Sequence, residues 1–244
     1  MLSWFKKNKT PQTGYFPIST DMHSHILPGI DDGSPDVTTS IQLIEGLIAL
    51  GINKSIATPH IIGDMFRNNP ITIQNALEKL KNELNRLQID FEVSAAAEYM
   101  MDSYFLELLA SNEPLLTIKE NMLLTEFSYA SKPVEIEKFT FAIQSAGYSP
   151  ILAHPERYPY FINNMKNFHR LMDLGFIFQV NIASLTGYYG KDALKAAEYL
   201  IKNNLVAFLG TDLHHDRHMQ CISDLKNQQS LRALLGHKSW NEFL

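Results

Sequence analysis

The feature that most constrains the fold is a regular alternation of short apolar segments with longer amphipathic ones, beginning near residue 18. This alternation is typical of repeated βα units, in which parallel strands form a sheet and helices cover it. Seven segments are predicted to be strands: 18–23, 54–60, 91–98, 122–127, 150–154, 176–181 and 205–212. We therefore predict an α/β fold, with a β/α barrel as its expected form.

The predicted helices and turns agree with this pattern. Between residues 74 and 87, leucines recur at three- and four-residue steps while charged residues occupy the other faces, as in a helix that packs on a core. Gly51, Gly147 and Gly175 each stand where a helix would end before the next strand. Glycine is favoured there because the backbone turns left-handed.

Length and charge indicate one domain and limit its partners. A chain of 244 residues, 45% of them hydrophobic, can bury one core. We assign residues 1–16 to an N-terminal tail and residues 17–244 to a single barrel domain. The net charge of −5 argues against a nucleic-acid partner. Because neither a signal peptide nor an apolar run of about 18 residues is present, we expect a cytoplasmic protein without membrane insertion.

Cys221 is the only cysteine, which excludes an intrachain disulfide and a thiolate metal cluster. It also argues against a cysteine-based phosphatase loop. Such a loop needs an arginine six positions after the cysteine, and Asn227 stands there. We interpret Cys221 as a small structural thiol.

Metal-binding side chains end six of the seven predicted strands. They are His23 and His25, His60, Glu98, Glu126, His154, and Asp212 with His214. The C-terminal ends of parallel strands meet at one face of a barrel, where such barrels build their active sites. His23 and His25 can bind one ion together because alternate residues of a strand share a face.

Taken singly, these residues have ordinary explanations, such as a hydrogen-bonded histidine or a helix N-cap. Taken together, they would leave several ionisable groups buried without partners unless cations bind between them. Nitrogen and oxygen ligands without thiolates suit Mn²⁺, Fe²⁺ or Zn²⁺, and a carboxylate can bridge two such ions. We therefore predict a site for several divalent metal ions.

Six motifs occur in a fixed order between about Asp21 and Arg217: DMHSHILPGIDDGS, ATPH, AAE, LLTEF, LAHPERY and GTDLHH. Together they resemble the polymerase and histidinol phosphatase (PHP) superfamily and, within it, the bacterial capsule-associated tyrosine phosphatases of the CpsB type. The resemblance implies a distorted seven-stranded (β/α) barrel of the PHP type. It also implies two or three divalent ions at the C-terminal ends of the strands, with manganese as the expected metal and iron or zinc as alternatives.

The resemblance further implies how the ligands divide among the ions. The sets are His23, His25, Glu98 and Asp212 for one ion, Glu126 and His154 with a bridging Glu98 for a second, and His60 and His214 for a third.

Three more residues are implied to act on the substrate. Asp32 stands where the family has an acidic ligand or general acid, although an Asp-Asp-Gly sequence is also typical of a simple turn. Arg157 and Arg217 stand at or near family arginines, and a guanidinium can bind two phosphate oxygens at once. Ordinary pairing with Glu156 or Asp216 is the alternative for these arginines.

The implied activity is hydrolysis of phosphotyrosine on another protein, with the C-terminal tail of a bacterial tyrosine kinase controlling capsule or exopolysaccharide synthesis as the expected substrate. The expected nucleophile is a metal-bridged hydroxide. Two alternatives remain open. One is a small-molecule phosphoesterase of the histidinol-phosphatase kind or a nuclease remnant, and the other is a non-catalytic, metal-stabilised regulatory domain.

Overall fold

The computed structural model describes residues 16–111, 113–224, 233–236 and 240–244. Within them, nine strands are found: β1 (Thr20–Ser24), β2 (Lys54–Ala57), β3 (His60–Ile61), β4 (Glu92–Ala95), β5 (Glu98–Met100), β6 (Met122–Glu126), β7 (Ser149–Ala153), β8 (Ile177–Asn181) and β9 (Val206–Gly210). The α-helices of the same residues are α1 (Val37–Leu50), α2 (Pro70–Leu87), α3 (Ser103–Ala110), α4 (Ile136–Ser145), α5 (Pro159–Ile162), α6 (Lys166–Asp173), α7 (Lys191–Lys202) and α8 (Asp216–Asp224).

The strands form two parallel sheets. One has the order β1-β2-β4, and the other has the order β3-β5-β6-β7-β8-β9. Every predicted strand is confirmed, but two of them are divided. The segment 54–60 breaks before Pro59, which has no N–H for a strand ladder, and the segment 91–98 breaks at Ala96 and Ala97. At these breaks the chain passes from the first sheet into the second.

The parallel α/β fold is therefore confirmed, whereas closure into one seven-stranded barrel is not. The C-terminal end of β1 nevertheless bonds to the chain that follows β9. The backbone N–H of Asp212 donates to the carbonyl of His23 at 2.7 Å, and that of His25 donates to the carbonyl of Leu213 at 2.9 Å. These bonds hold the His-x-His segment against the chain that follows the last strand.

Local sequence explains where the helices begin and end. Asn69 caps α2 by accepting from two backbone N–H groups, and Pro70 occupies the first turn, where its missing donor costs nothing. Of the helix's predicted core leucines, the last, Leu87, is half exposed, and the others are buried. The three predicted helix-ending glycines have φ values of 91°, 85° and 97°, which confirms their left-handed positions.

The predicted N-terminal tail lies outside the described residues, except for its last residue, as does most of the chain after α8. Among the helices that are described, none is both long and apolar enough to cross a membrane.

Candidate metal centre

All eight predicted ligands lie together at the C-terminal ends of the strands. Six of their side chains are at most 2% exposed, and only His60 and His214, at 12% and 13%, reach the surface. Four overlapping groups of three or four ligand atoms include all eight residues and also Asp32. The structure thus brings together the complete set that the sequence singled out.

The ligands predicted for the first ion surround a common point. Nε2 of His23 and Nε2 of His25 are 3.3 Å apart, and each lies 3.3 Å from Oε2 of Glu98 and 3.4 Å from Oδ1 of Asp212. Two donors bound to one ion at about 2.1 Å can be no more than about 4.2 Å apart. These spacings are therefore short enough for shared coordination.

Glu98 lies between this group and the remaining ligands. Its Oε1 is 3.0 Å from Nε2 of His154, and its Oε2 is 3.2 Å from Nδ1 of His60. Oε1 of Glu126 lies 2.9 Å from the same His60 nitrogen. The two oxygens of Glu98 thus contact members of all three predicted ligand sets. His60 and Glu126, which were predicted to serve different ions, are direct neighbours.

Asp32 joins the outer part of the cluster. Its Oδ1 is 3.4 Å from Nε2 of His60 and 3.5 Å from Nε2 of His214. The hydrogen bond with His214 outweighs partial burial and lowers the pKa of Asp32 to about 2. The Asp32 carboxyl is therefore a charged group at neutral pH, as a metal ligand must be.

Several buried atoms of the cluster have no hydrogen bond in the described structure. They are Nδ1 of His60, Oε2 of Glu98 and Oε1 of Glu126. Burial and the charge of Glu98 raise the pKa of Glu126, whereas for Glu98 the nearby His23 and His60 outweigh burial and lower the pKa. Although these atoms contact one another as ion pairs, carboxylate oxygens that lack hydrogen bonds are costly in an interior. Divalent cations would satisfy them, so the donor set fits the metal that the sequence predicts.

The outer nitrogens of two imidazoles are held by neighbours. Nδ1 of His25 is 2.8 Å from Oδ2 of Asp31, and Nδ1 of His154 is 3.0 Å from the hydroxyl of Tyr129. Although burial disfavours the imidazolium, the carboxylates of Asp31 and Glu98 raise the pKa of His25 well above its usual value. Such outer partners fix which ring nitrogen faces the cluster.

The two predicted arginines lie in different surroundings. Nη1 of Arg157 donates to Oδ2 of Asp212 at 2.7 Å, and its guanidinium lies 4.0 Å from the ring centre of Tyr189 and 4.8 Å from that of Tyr129. Arg157 also lines the cavity beside the cluster. Arg217 is exposed on the first turn of α8 and does not belong to the described lining.

That cavity has a volume of about 260 Å³ and a mostly polar lining. Five of the ligands reach it, together with Asp32, Arg157, Tyr129, His215 and His218. The sequence reasoning did not identify Tyr129 or Tyr189, because tyrosines in loops carry no periodic signal. It also did not identify Gln179 and Asn181, two buried amides in β8. Their signal in the sequence is the presence of two polar residues in an otherwise apolar strand.

Comparison with known proteins identifies the family of this chain. Residues 19–230 match the family model described as capsular polysaccharide synthesis, CpsB/CapC. The tyrosine-protein phosphatase YwqE of Bacillus subtilis is 30% identical over 80% of this chain and 77% of its own. The tyrosine-protein phosphatase CpsB of Streptococcus pneumoniae is 28% identical over 80% of this chain and 82% of its own.

A solved structure from work on these two proteins, described there as unique metal-dependent tyrosine phosphatases, superposes with a TM-score of 0.77 at 28% identity. It covers 88% of this chain and 89% of its own. The family match, the fold and the ligand cluster agree, and the chain belongs to the CpsB/CapC family.

Proposed function

We propose that this protein is a metal-dependent protein-tyrosine phosphatase that hydrolyses phosphotyrosine monoesters. The observation that carries the proposal is a cluster of eight histidine and carboxylate side chains beside a cavity that Arg157 lines. The names and description of the family relatives support the same reaction.

Metal ions rather than a cysteine are proposed to drive the reaction. Burial raises the pKa of the Cys221 thiol, whose Sγ lies 2.8 Å from Oγ1 of Thr186, and a raised pKa disfavours the nucleophilic thiolate. The eight clustered ligands and Asp32 would hold two or three divalent ions, which we propose to be Mn²⁺. When bound, such ions supply Lewis acidity and an activated water.

Arg157 is proposed to bind the phosphate. It has five N–H donors, and the bond to Asp212 uses only Nη1, so further donors remain for phosphate oxygens. Tyr129 and Tyr189 hold the guanidinium plane. A guanidinium fixed in this way can stabilise charge that develops on the transferring phosphoryl group.

The low pKa of Asp32 favours a role as a ligand over a role as the general acid. A general acid must carry a proton near the working pH, and a carboxyl group with a pKa of about 2 does not. Arg217 is proposed to contact parts of the substrate outside the phosphate, which its exposed position on α8 allows.

The proposed substrate is phosphotyrosine in a flexible polypeptide, such as the tail of a bacterial tyrosine kinase that controls capsule or exopolysaccharide synthesis in the cytoplasm. The name of the matched family supports the link to capsular polysaccharide. We also propose that the two sheets act as one distorted barrel around the site, since backbone hydrogen bonds already join the end of β1 to the chain that follows β9.

A substrate panel tests this function. Metal-free protein reconstituted with Mn²⁺ is assayed on a phosphotyrosine peptide, a phosphoserine peptide, a simple aryl phosphate and histidinol phosphate. The proposal predicts a higher kcat/KM for the phosphotyrosine peptide than for the phosphoserine peptide or histidinol phosphate, because tyrosinate, with a pKa of about 10, leaves more readily than an alkoxide. A higher kcat/KM for the peptide than for the aryl phosphate is also expected, from binding contacts outside the reacting group. Faster turnover of histidinol phosphate would favour the small-molecule alternative, and a folded, metal-loaded protein without turnover would favour the regulatory one.

A further inference from the structure

Strand β8 carries two amides, Gln179 and Asn181, that neither line the cavity nor belong to the predicted ligands. Both side chains are fully buried, in a strand otherwise composed of Ile177, Phe178 and Val180. As alternate residues they project to the same face. A buried amide is costly unless its hydrogen bonds are made, so their presence requires an explanation.

The two amides form one hydrogen-bonded chain between two ligands. Oε1 of Gln179 lies 2.8 Å from Nδ1 of His23, and Nε2 of Gln179 donates to Oδ1 of Asn181 at 2.9 Å. Nδ2 of Asn181 then donates to Oδ2 of Asp212 at 2.7 Å. These hydrogen bonds therefore link His23 to Asp212 behind the cluster. Within the cluster, Nε2 of His23 lies 3.4 Å from Oδ1 of Asp212.

The donor and acceptor roles in these hydrogen bonds determine which nitrogen of His23 carries the hydrogen and which oxygen of Asp212 faces the cluster. A carbonyl oxygen can only accept, so Nδ1 of His23 must carry the hydrogen. In the neutral ring, Nε2 is then the unprotonated nitrogen, and it faces the cluster. At the other end, Oδ2 of Asp212 is occupied by Asn181 and Arg157, which leaves Oδ1 for the cluster.

A glycine provides independent support. Gly210 pairs with Asn181 in the β8–β9 register, between β8 and the end of β1. A Cβ added at Gly210 would lie 2.7 Å from Cβ of His23 and 2.8 Å from Nε2 of Gln179. Its backbone does not have positive φ. The glycine thus leaves room for the Gln179 side chain to reach His23 past β9.

We infer that Gln179 and Asn181 are positioning residues that hold His23 and Asp212 in the geometry and tautomer needed to bind one metal ion. The inference rests on the metal site of the proposed function, but not on its substrate. Gln179→Glu would keep the acceptor for His23 and lose the donor to Asn181, whereas Gln179→Met would lose both.

Zn²⁺ serves as the probe, because it is diamagnetic. Its affinity is measured by chelator competition for the wild type, Gln179→Met and Gln179→Glu. Removing an outer partner of a metal ligand typically costs about 10- to 100-fold in affinity, and we expect this loss in Gln179→Met. Long-range ¹H–¹⁵N spectra report which nitrogen of His23 binds Zn²⁺. We expect Nε2 in the wild type and Gln179→Glu, and a mixture in Gln179→Met.

Asn241→Asp is the matched control, because Asn241 is also a buried amide but bonds to the backbone of Thr20 and Leu209 away from the ligands. It should lower Tm without changing Zn²⁺ affinity. If Gln179→Met does not fold, Gly210→Ala is tested instead. It keeps the amide but fills the space through which Gln179 reaches His23, and it should weaken Zn²⁺ binding.

Zn²⁺ affinity within twofold of wild type in folded Gln179→Met, or an equal loss in Asn241→Asp, would overturn the inference. Failure of the wild type to bind Zn²⁺ would instead remove the metal site itself.

Discussion

Replacement of Arg157 by alanine is the most informative single test, because the structure separates it from Arg217, the other predicted arginine. Arg157 lines the cavity between two tyrosines and bonds to Asp212, whereas Arg217 is exposed. Loss of a donor that stabilises transition-state charge typically costs about 10²- to 10³-fold in kcat, or about 2.7–4 kcal/mol. We expect a loss of this size for Arg157→Ala.

The same change should also destabilise the fold. It removes two cation–π contacts of about 0.5–1 kcal/mol each and one charge-assisted hydrogen bond of about 1.5–3 kcal/mol. Together these terms give a loss of about 2.5–5 kcal/mol of unfolding free energy as the upper expectation. Metal binding should persist, because Asn181 still donates to Asp212 at 2.7 Å. Arg157→Lys keeps the positive charge but loses the planar guanidinium, so its kcat should lie between those of the wild type and Arg157→Ala.

The assay is kcat on a phosphotyrosine peptide beside the metal content of the same preparation, with denaturant unfolding as the stability measurement. Arg217→Ala is the comparison variant: because Arg217 is proposed to contact the substrate outside the phosphate, its loss should raise KM and change kcat by less than about threefold. The reasoning would be refuted by Arg157→Ala retaining full metal and full turnover. Equal losses of kcat in both arginine variants would contradict the inference that the position of Arg157 beside the cluster is the cause of its effect on turnover.

Three further predictions concern the metal site. Chelation should abolish activity and Mn²⁺ restore it, with Cys221→Ser nearly as active as wild type; an inactive but folded Cys221→Ser contradicts the mechanism. Glu98→Gln should lose metal and activity together, as metal analysis will show. Carboxylates raise the pKa of His60 to about 9 against burial, so below that pH the metal-free ring is protonated and must release its proton on binding. Metal affinity should therefore rise with pH up to about 9, measured by chelator competition between pH 6 and 9.

Local patterns were sufficient to predict the strands, the helix ends and the ligand set. The side chains of a strand alternate with a period of two, which can be recognised in the sequence. The last residues of parallel strands lie at the end of the sheet where active sites are built, regardless of how the sheet closes. His23, His60 and Glu98 could therefore be predicted as ligands before their neighbours were known. The division of two strands near Pro59 and Ala96 was not predicted, because which sheet a segment joins depends on partners far along the chain.

The two arginines show where sequence reasoning ended. Arg157 and Arg217 each follow a predicted ligand by three residues, so their sequence contexts are equivalent. Only the tertiary structure distinguishes them. His154 takes a left-handed φ of 36° and opens a 3-10 turn that brings Arg157 to the cavity. After His214 the chain enters α8, where His218 lines the cavity and Arg217 is exposed.

The sequence by itself determined the parallel α/β fold and the kind of chemistry, because periodicity and ligand type are properties of neighbouring residues. The tertiary structure decided which ligands are neighbours, as in the 2.9 Å approach of Glu126 to His60, and which residues support them from behind. Gln179 and Asn181 acquire a role only when β8 lies beside β9 and the end of β1. Hydrogen bonds between residues more than 150 positions apart, such as the one from His23 to Gln179, exist only once the chain has folded.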